Sequence, residues 1–359
     1  MMMSTRNLLI SAILLLYPLA APAAQSYPVD DAQLYANAKS HEDGKIVWYL
    51  NQPLEPLRLV ANEFERQYPG MKVELQRAVG GQLLQKFVRE SDAKQNIADL
   101  VQISDPVMMR DLAQGNYLAH WKVPTHDRIP AGYRIGDQAY SAIITDMAIP
   151  YNANKLTPEE VAILQKGWDG VLDPRFKGRF AVSSSRSGIG YAGLSMFLDP
   201  ALKDRYGEKF LAKVIQQKPA VYSDGAMALD RVVAGEQDFF FWFTEGPSVT
   251  KWMQGAPLRW IEPSPRPAYP NALQGISAAA PHPNGARLFQ DWLTSDAGAK
   301  ALQDKYGVRT SLEGVPDTRK AAQQPWSPKP KDYHIDLQRW AKNYSATQNL
   351  WAKILKENR

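Results

Sequence analysis

Lys45-Ile-Val-Trp-Tyr-Leu-Asn-Gln-Pro53 begins the part of the sequence that decides the fold. The apolar run 45–50 is typical of a buried strand, and Pro53 suits the first position of a helix. Apolar side chains then recur at helical spacing at Leu57, Val60, Ala61, Phe64 and Tyr68. This stretch therefore predicts a strand, a short loop and a helix in succession.

Two further units of the same kind follow. A predicted strand at 72–77 leads through Gly80-Gly81 into a helical pattern, and a strand at 98–103 leads through Ser104-Asp105-Pro106 into another. Three such units in a row predict an α/β fold with a parallel sheet covered by helices on both faces. In sheets of this kind ligands bind at the carboxyl ends of the strands.

The rest of the chain predicts a second lobe and a return to the first. We expect lobe 1 at 40–148 plus 270–317 and lobe 2 at 149–266, with 318–359 packing as helices on the lobes. A chain that leaves one lobe, builds another and returns forms a two-stranded hinge, the architecture of a clamshell that closes on a ligand.

The N-terminus predicts export. Arg6 precedes an apolar run from Leu8 to Leu19, and Ala21-Pro22-Ala23 resembles a cleavage site. The run is too short to span a membrane, so we expect a signal peptide at 1–24 and a periplasmic protein. The chain has no cysteine, so no disulfide is expected. The charged residues that give its net charge of +5 are scattered along the sequence, which argues against a nucleic-acid partner.

The stretch Lys177–Leu194 predicts a strand, a Ser/Gly loop and a helix start, which is a natural site for an anion. Arg186 lies within this loop, between Ser185 and Ser187, and can form a two-pronged bond to phosphate or carboxylate. Gly188-x-Gly190-x-x-Gly193 also allows a dinucleotide site, but a second helical pattern follows where that motif needs a strand. A merely structural glycine turn is the third interpretation.

Taken in order, the motifs resemble the periplasmic solute-binding proteins of ABC importers, in the branch that contains ferric-ion and hexose-phosphate binders. The motifs that carry this resemblance are Gln52 after the first strand, Gly80-Gly81, Ser104-Asp105, Pro150–Asn154, Trp168–Gly178, Ser187-Gly188 and Ala286–Ser295. The resemblance implies a type II periplasmic binding protein fold with two parallel-sheet lobes, no catalysis, no cofactor, and docking onto an inner-membrane permease.

The sequence departs from the ferric binders of this branch at their metal site. Those proteins use adjacent tyrosines where this chain has Phe239-Phe240-Phe241-Trp242, and phenylalanine offers no ligand to Fe³⁺. Tyr151, Tyr191 and Tyr222 could still supply phenolates. The anion site of the family falls on Ser187-Gly188, so the resemblance implies that this protein binds an anion itself.

The candidate ligand contacts are side chains and glycines at predicted strand ends, helix starts and the Ser/Gly loop: Asn51, Gln52, Gly80, Gly81, Ser104, Tyr151, Ser185, Arg186, Ser187, Gly188, Asp224, Trp242 and Glu245. Ser104, Asp105 and Asp224 suit helix caps equally well. Trp242 could stack on a ring of the ligand or belong to the core. No metal ligand is predicted.

The sequence thus predicts a monomeric binding protein that delivers a small anionic organic solute to a permease. Ferric-ion binding, and ligand sensing for a membrane kinase, are the alternatives. An enzyme is not expected because the chain lacks a Gly-x-Ser-x-Gly elbow, a His-Glu-x-x-His motif and any cysteine.

Overall fold

A computed structural model describes residues 31–78, 80–184, 188–326 and 332–358. The predicted signal peptide, and the loop residues Ser185, Arg186 and Ser187, lie outside these ranges. No helix in the described ranges is long and apolar enough to cross a membrane.

The described ranges contain α-helices and β-strands throughout. The helices are α1 (Asp31–His41), α2 (Leu54–Gln67), α3 (Gly80–Asp92), α4 (Pro106–Gln114), α5 (Pro158–Gln165), α6 (Gly188–Phe197), α7 (Glu208–Gln216), α8 (Gly225–Val233), α9 (Glu245–Met253), α10 (Pro283–Leu293), α11 (Asp296–Ala301) and α12 (Leu337–Glu357). The strands are β1 (Lys45–Leu50), β2 (Lys72–Arg77), β3 (Leu100–Ile103), β4 (Arg134–Ile135), β5 (Ala139–Ser141), β6 (Ile143–Asn152), β7 (Phe180–Ser183), β8 (Ala220–Tyr222), β9 (Phe239–Phe240), β10 (Phe243–Thr244), β11 (Leu258–Ile261), β12 (Arg266–Pro270), β13 (Leu273–Ile276), β14 (Arg309–Thr310) and β15 (Asp332–His334).

The first sheet has the strand order β2-β1-β3-β13-β5-β4. β1 pairs in parallel with β2 and β3, as the three repeated units predict. β13 runs antiparallel to both β3 and β5, because the chain returns from the second lobe in the opposite direction. The sheet is therefore mixed: the three repeated units form its parallel half, and β13, β5 and β4 add antiparallel strands.

Apolar side chains cover both faces of the first sheet. Side chains alternate along β1, so Trp48 joins one cluster with Phe64 of α2 and Phe289 of α10, while Tyr49 joins the other with Phe87 of α3. Burial on both faces explains why β1 reads as a continuous apolar run instead of an alternating one. Because helices cover both faces, the carboxyl ends of β1 and β3 are the part of the sheet where a ligand site can form.

The second sheet has the order β15-β12-β6-β9-β7-β8, with β10, β11 and β14 also paired to β6. The long strand β6 and the strand β12 pair antiparallel from Ile144 to Asp146, and they carry the chain between the sheets. β14 pairs with the same end of β6, at Ile143 and Ile144. Since α12 packs on α6 and α7, the C-terminal helix lies against the second lobe.

The aromatic run Asp238–Phe243 forms two short strands and not one continuous strand. Trp242 adopts a left-handed backbone conformation with a φ of 46°, and this breaks the run into β9 and β10. Its ring is fully buried and packs edge-on against Phe197 and Trp351. Anchoring of the indole in the core compensates for the backbone strain at Trp242.

Candidate functional site

A cleft of about 420 Å³ lies where the ends of the first sheet meet the strands that connect the lobes. Much of its lining comes from the carboxyl ends of β1 and β3, the start of β6, the β10–α9 junction, and the residues Tyr306, Val308 and Arg309. The segment between β12 and β13 adds Asn271. Residues distant in sequence are therefore brought to one site by the topology of the two sheets.

The wall from the first lobe is a network of amides and hydroxyls. Asn51 accepts hydrogen bonds from the backbone N–H and the hydroxyl of Ser104, at 3.2 and 3.0 Å. The side-chain amide of Gln52 donates to the Ser104 hydroxyl (2.6 Å) and to the carbonyl of Asn271 (2.9 Å). Its oxygen accepts from the Tyr306 hydroxyl at 3.1 Å. These contacts fix neutral donors and acceptors at the end of the sheet, where they can orient a polar solute.

Helix N-termini converge on the same cleft. The lining includes Pro53 at the N-cap of α2, Gly81 in the first turn of α3, Asp105 at the N-cap of α4, Gly225 at the start of α8 and Glu245 at the start of α9. A helix N-terminus carries partial positive charge and unpaired N–H groups. The first turn of α3 contains no acidic residue, so its positive end is not offset by a carboxylate of its own.

The floor of the cleft contains buried charges. Arg309 donates to Asp146 at 2.8 Å, and Arg319 donates to Glu245 at 2.9 Å. Asp146 and Glu245 are 2% and 3% exposed, although both line the cleft. Burial raises the pKa of Asp146 to about 6, against the opposing effect of Arg266 and Arg309.

A third carboxylate, that of Glu262, lies behind this floor and pairs with Arg266. Burial is the largest cause that raises the pKa of Glu262, to about 8, and the negative charge of Glu245 adds to it. Arg266 also approaches Asp146, at 3.7 Å. The floor is thus a connected set of ion pairs in which carboxylates lie close to one another.

The structure brings five of the predicted contacts into the cleft lining: Asn51, Gln52, Gly81, Ser104 and Glu245. Gly80 begins α3 beside them, and Gly188 begins α6. Ser185, Arg186 and Ser187 lie outside the described residues, so their contact with a ligand stays a prediction.

Three predicted contacts lie elsewhere. Trp242 is enclosed by aromatic rings of the second lobe, so the alternative that it belongs to the core is the correct one. Tyr151 is buried in β6, opposite Arg259 of β11. Asp224 caps α8 by accepting from the backbone N–H of Met227 at 2.9 Å, the alternative role that the sequence allowed.

Gly193, the last glycine of the Gly188-x-Gly190-x-x-Gly193 motif, has a packing role, because a Cβ there would lie 2.7 Å from the Trp242 ring.

Sequence reasoning missed Asp146, Arg309, Tyr306 and Asn271. Asp146 lies in the middle of a largely buried strand, and an acidic residue in such a strand is itself a signal of a partner or a site. Arg309 had no such signal, because nothing local in the sequence shows that its strand returns to β6.

The family of bacterial extracellular solute-binding proteins matches residues 47–309, and the chain belongs to this family. Its members are solute-binding components of transport systems and work with an inner-membrane ABC permease. A comparison with curated proteins gave no match.

Solved structures show the same fold. The substrate-binding protein of an ABC transporter from Agrobacterium tumefaciens superposes with a TM-score of 0.71 at 17% identity, covering 87% of this chain and 96% of that one. Iron-bound HitA from Pseudomonas aeruginosa gives 0.66 at 18% identity, covering 86% and 99%. AfuA from Actinobacillus pleuropneumoniae, with exogenous fructose-6-phosphate bound, gives 0.68 at 18% identity, covering 87% and 99%. The chain has the type II periplasmic binding protein fold, as the sequence predicted.

Proposed function

We propose that this protein captures a small anionic organic solute in the cleft and delivers it to an inner-membrane ABC permease from the periplasm. A sugar phosphate, a phosphonate or an organic carboxylate would suit the cleft. The observation that carries the proposal is the convergence of helix N-termini on the lining, above all the start of α3 at Gly80-Gly81. Backbone N–H groups at such a helix start bind phosphate and carboxylate oxygens.

The amide and hydroxyl network supports an organic solute. Asn51, Gln52 and Ser104 are neutral and already joined by hydrogen bonds, so they keep a fixed geometry when the site is empty. Fixed polar groups of this kind orient hydroxyl or carbonyl groups at little entropic cost. We expect the start of α6, with the predicted contacts Ser185, Arg186 and Ser187, to bind the acidic group from the second lobe.

Ferric-ion binding is the competing function, and fold likeness does not separate the two, since iron-bound HitA and sugar-phosphate-bound AfuA are both similar to this chain. The chemistry of the cleft favours the organic anion. Among the described residues the lining contains one tyrosine, Tyr306, whose hydroxyl donates to Gln52. Burial raises the pKa of Tyr306, which disfavours the phenolate form in which tyrosine binds Fe³⁺.

Isothermal titration of the ligand-free protein tests this function. Fructose 6-phosphate, methylphosphonate and citrate serve as organic anions, and ferric nitrilotriacetate serves as the iron donor. We expect saturable binding of at least one organic anion and no stoichiometric transfer of iron. Iron uptake with a visible tyrosinate absorption band, in the absence of binding by any organic anion, would contradict the proposal.

A further inference from the structure

Asp146 and Glu245 are neighbours across a strand pair at the floor of the cleft. β10 pairs antiparallel with β6 so that Phe243 faces Ala148 and Thr244 faces Met147. One further step in this register sets Glu245 beside Asp146, where β10 ends and α9 begins. Like charges directly opposite each other destabilise a strand pair. A carboxylate pair at this position therefore needs an interaction that offsets the repulsion between the two negative charges.

Each of these two carboxylates has one oxygen without a hydrogen-bond partner. Asp146 uses Oδ1 for Arg309, and its buried Oδ2 has no partner. Glu245 uses Oε2 for Arg319, and its buried Oε1 has no partner. A buried carboxylate oxygen left unpaired is costly, so two of them on neighbouring residues that line a cleft point to a group that is brought by the ligand.

The neighbouring guanidinium groups are already shared among several carboxylates. Among the described residues, four carboxylates share the guanidinium groups of three arginines: Asp146, Glu245, Glu262 and Asp317 with Arg266, Arg309 and Arg319. Arg319 already donates to Glu245, to Asp317 and to the carbonyl of Gly307. A ligand group that is both a hydrogen-bond donor and a cation would satisfy the free oxygens and the charge together.

We propose that Asp146 and Glu245 form a subsite for a primary ammonium group, so that the solute is a zwitterion with an amine at one end and an acidic group at the other. An ammonium group has three donors and no acceptor, which matches two acceptor-only oxygens. The acidic end lies toward the start of α3 at Gly80-Gly81. This inference rests on the proposed function, because it assigns the second end of the same anionic solute.

Phosphate esters that differ in one group test the subsite in the wild-type protein at pH 7.5. The probes are 2-aminoethyl phosphate, 2-hydroxyethyl phosphate and ethyl phosphate, with β-alanine and propanoate as a matched carboxylate pair. We expect the amine of at least one series to bind at least tenfold more tightly than its analogue without the amine, with 2-hydroxyethyl phosphate close to ethyl phosphate.

Other results have separate meanings. Equal binding of the amine and its analogue would overturn the ammonium subsite and leave the proposed function intact. Binding of 2-hydroxyethyl phosphate as tightly as 2-aminoethyl phosphate would likewise overturn it, in favour of a hydroxyl subsite. Failure of all five probes to bind would overturn the subsite. The proposed function would be overturned together with the subsite only if fructose 6-phosphate, methylphosphonate and citrate also fail to bind.

Two matched variants locate the effect. Glu245→Gln removes the charge of the cleft carboxylate, and we expect the preference for the amine to fall to less than threefold. Asp317→Asn removes a carboxylate from the same guanidinium group, that of Arg319, but Asp317 does not line the cleft, so the preference should persist. Loss of the preference in both variants, or in neither, would overturn the assignment. If Glu245→Gln does not fold, the wild-type comparison still decides.

Discussion

The hydroxyl of Tyr344 lies 2.9 Å from the carboxylate of Asp105. Tyr344 belongs to α12, which packs on α6 and α7 of the second lobe, whereas Asp105 caps α4 on the first sheet. The second oxygen of Asp105 accepts from the backbone N–H of Val107 at 2.9 Å. One carboxylate therefore caps a helix at the cleft and also joins the C-terminal helix to the opposite lobe.

Replacement of Tyr344 by Phe tests this connection. The change removes one hydrogen bond to a charged acceptor, and we expect a loss of about 1.5–3 kcal/mol in the free energy of unfolding. The ligand-free protein should also become more open, which small-angle scattering would detect as a larger radius of gyration. An unchanged stability together with an unchanged radius would show that the bond does not hold the lobes together.

Gln52 connects three segments that form the cleft, through Ser104, Asn271 and Tyr306. We expect Gln52→Ala to lower the free energy of unfolding by about 1–3 kcal/mol, since several partly buried partners lose a hydrogen bond. Solute affinity should fall as well. Gln33→Ala is the control because Gln33 bonds only to Asn37 on an exposed helix face, and its urea-denaturation midpoint should stay unchanged. Equal effects of the two substitutions would contradict the assigned role.

The buried carboxyl group of Asp291 should make the free energy of unfolding depend on pH. Its carboxyl accepts from Trp121 at 2.8 Å but has a second buried oxygen without a partner, and burial raises its pKa to about 8. The folded state therefore holds a proton that the unfolded state releases near pH 4. The stability that this group contributes is complete at low pH and is lost as the pH rises toward 8.

The measurement is the free energy of unfolding of wild type and Asp291→Asn across this range. Relative to the variant, the wild type should lose up to about 1.4 kcal/mol per pH unit between about pH 4 and pH 8. Asn retains an acceptor for Trp121, so the variant should fold. Parallel pH profiles for the two proteins would mean that Asp291 is ionised throughout.

Arg319 is a buried cation whose removal leaves Glu245 and Asp317 without their shared partner. Its side chain is 3% exposed, so we expect Arg319→Ala to cost about 3–5 kcal/mol. Arg231 pairs with Glu236 on the surface, and Arg231→Ala should have little measurable effect on the melting temperature. A mild effect of Arg319→Ala would show that Glu245 can be protonated or solvated in its absence.

The prediction that Arg186 binds the acidic group of the ligand rests on the sequence alone. A guanidinium in the Ser/Gly loop before α6 can form a two-pronged bond to phosphate or carboxylate. We expect Arg186→Ala to weaken binding of an organic anion at least tenfold in isothermal titration while leaving the melting temperature of the ligand-free protein nearly unchanged. An unaltered affinity would remove Arg186 from the site.

Much of the fold could be predicted because local patterns coincide with the elements that they indicate. The strands Lys45–Leu50 and Lys72–Arg77 were predicted to the residue, since each is an uninterrupted run bounded by turn residues. The residues after β1 and β3 were expected at the cleft because the ends of neighbouring parallel strands share an edge. Gln52 and Ser104 both lie there.

The floor of the cleft could not be predicted in the same way. Asp146, Glu245 and Arg309 come together only because β10 and β14 both pair with β6, and these pairings join segments about 100 to 165 residues apart. Trp242 shows a second limit: an aromatic run of this kind favours a continuous strand, but the left-handed backbone at Trp242 and the packing of its indole in the core interrupt it. Long-range pairing and packing decided both results.

The most direct measurement is mass spectrometry of the ligand released by denaturing freshly purified protein, with a metal assay on the same sample. The account predicts a small organic molecule that carries a phosphate, phosphonate or carboxylate group, together with an amine, and less than stoichiometric iron. Stoichiometric iron without an organic anion would contradict the central claim that the cleft binds an anionic solute.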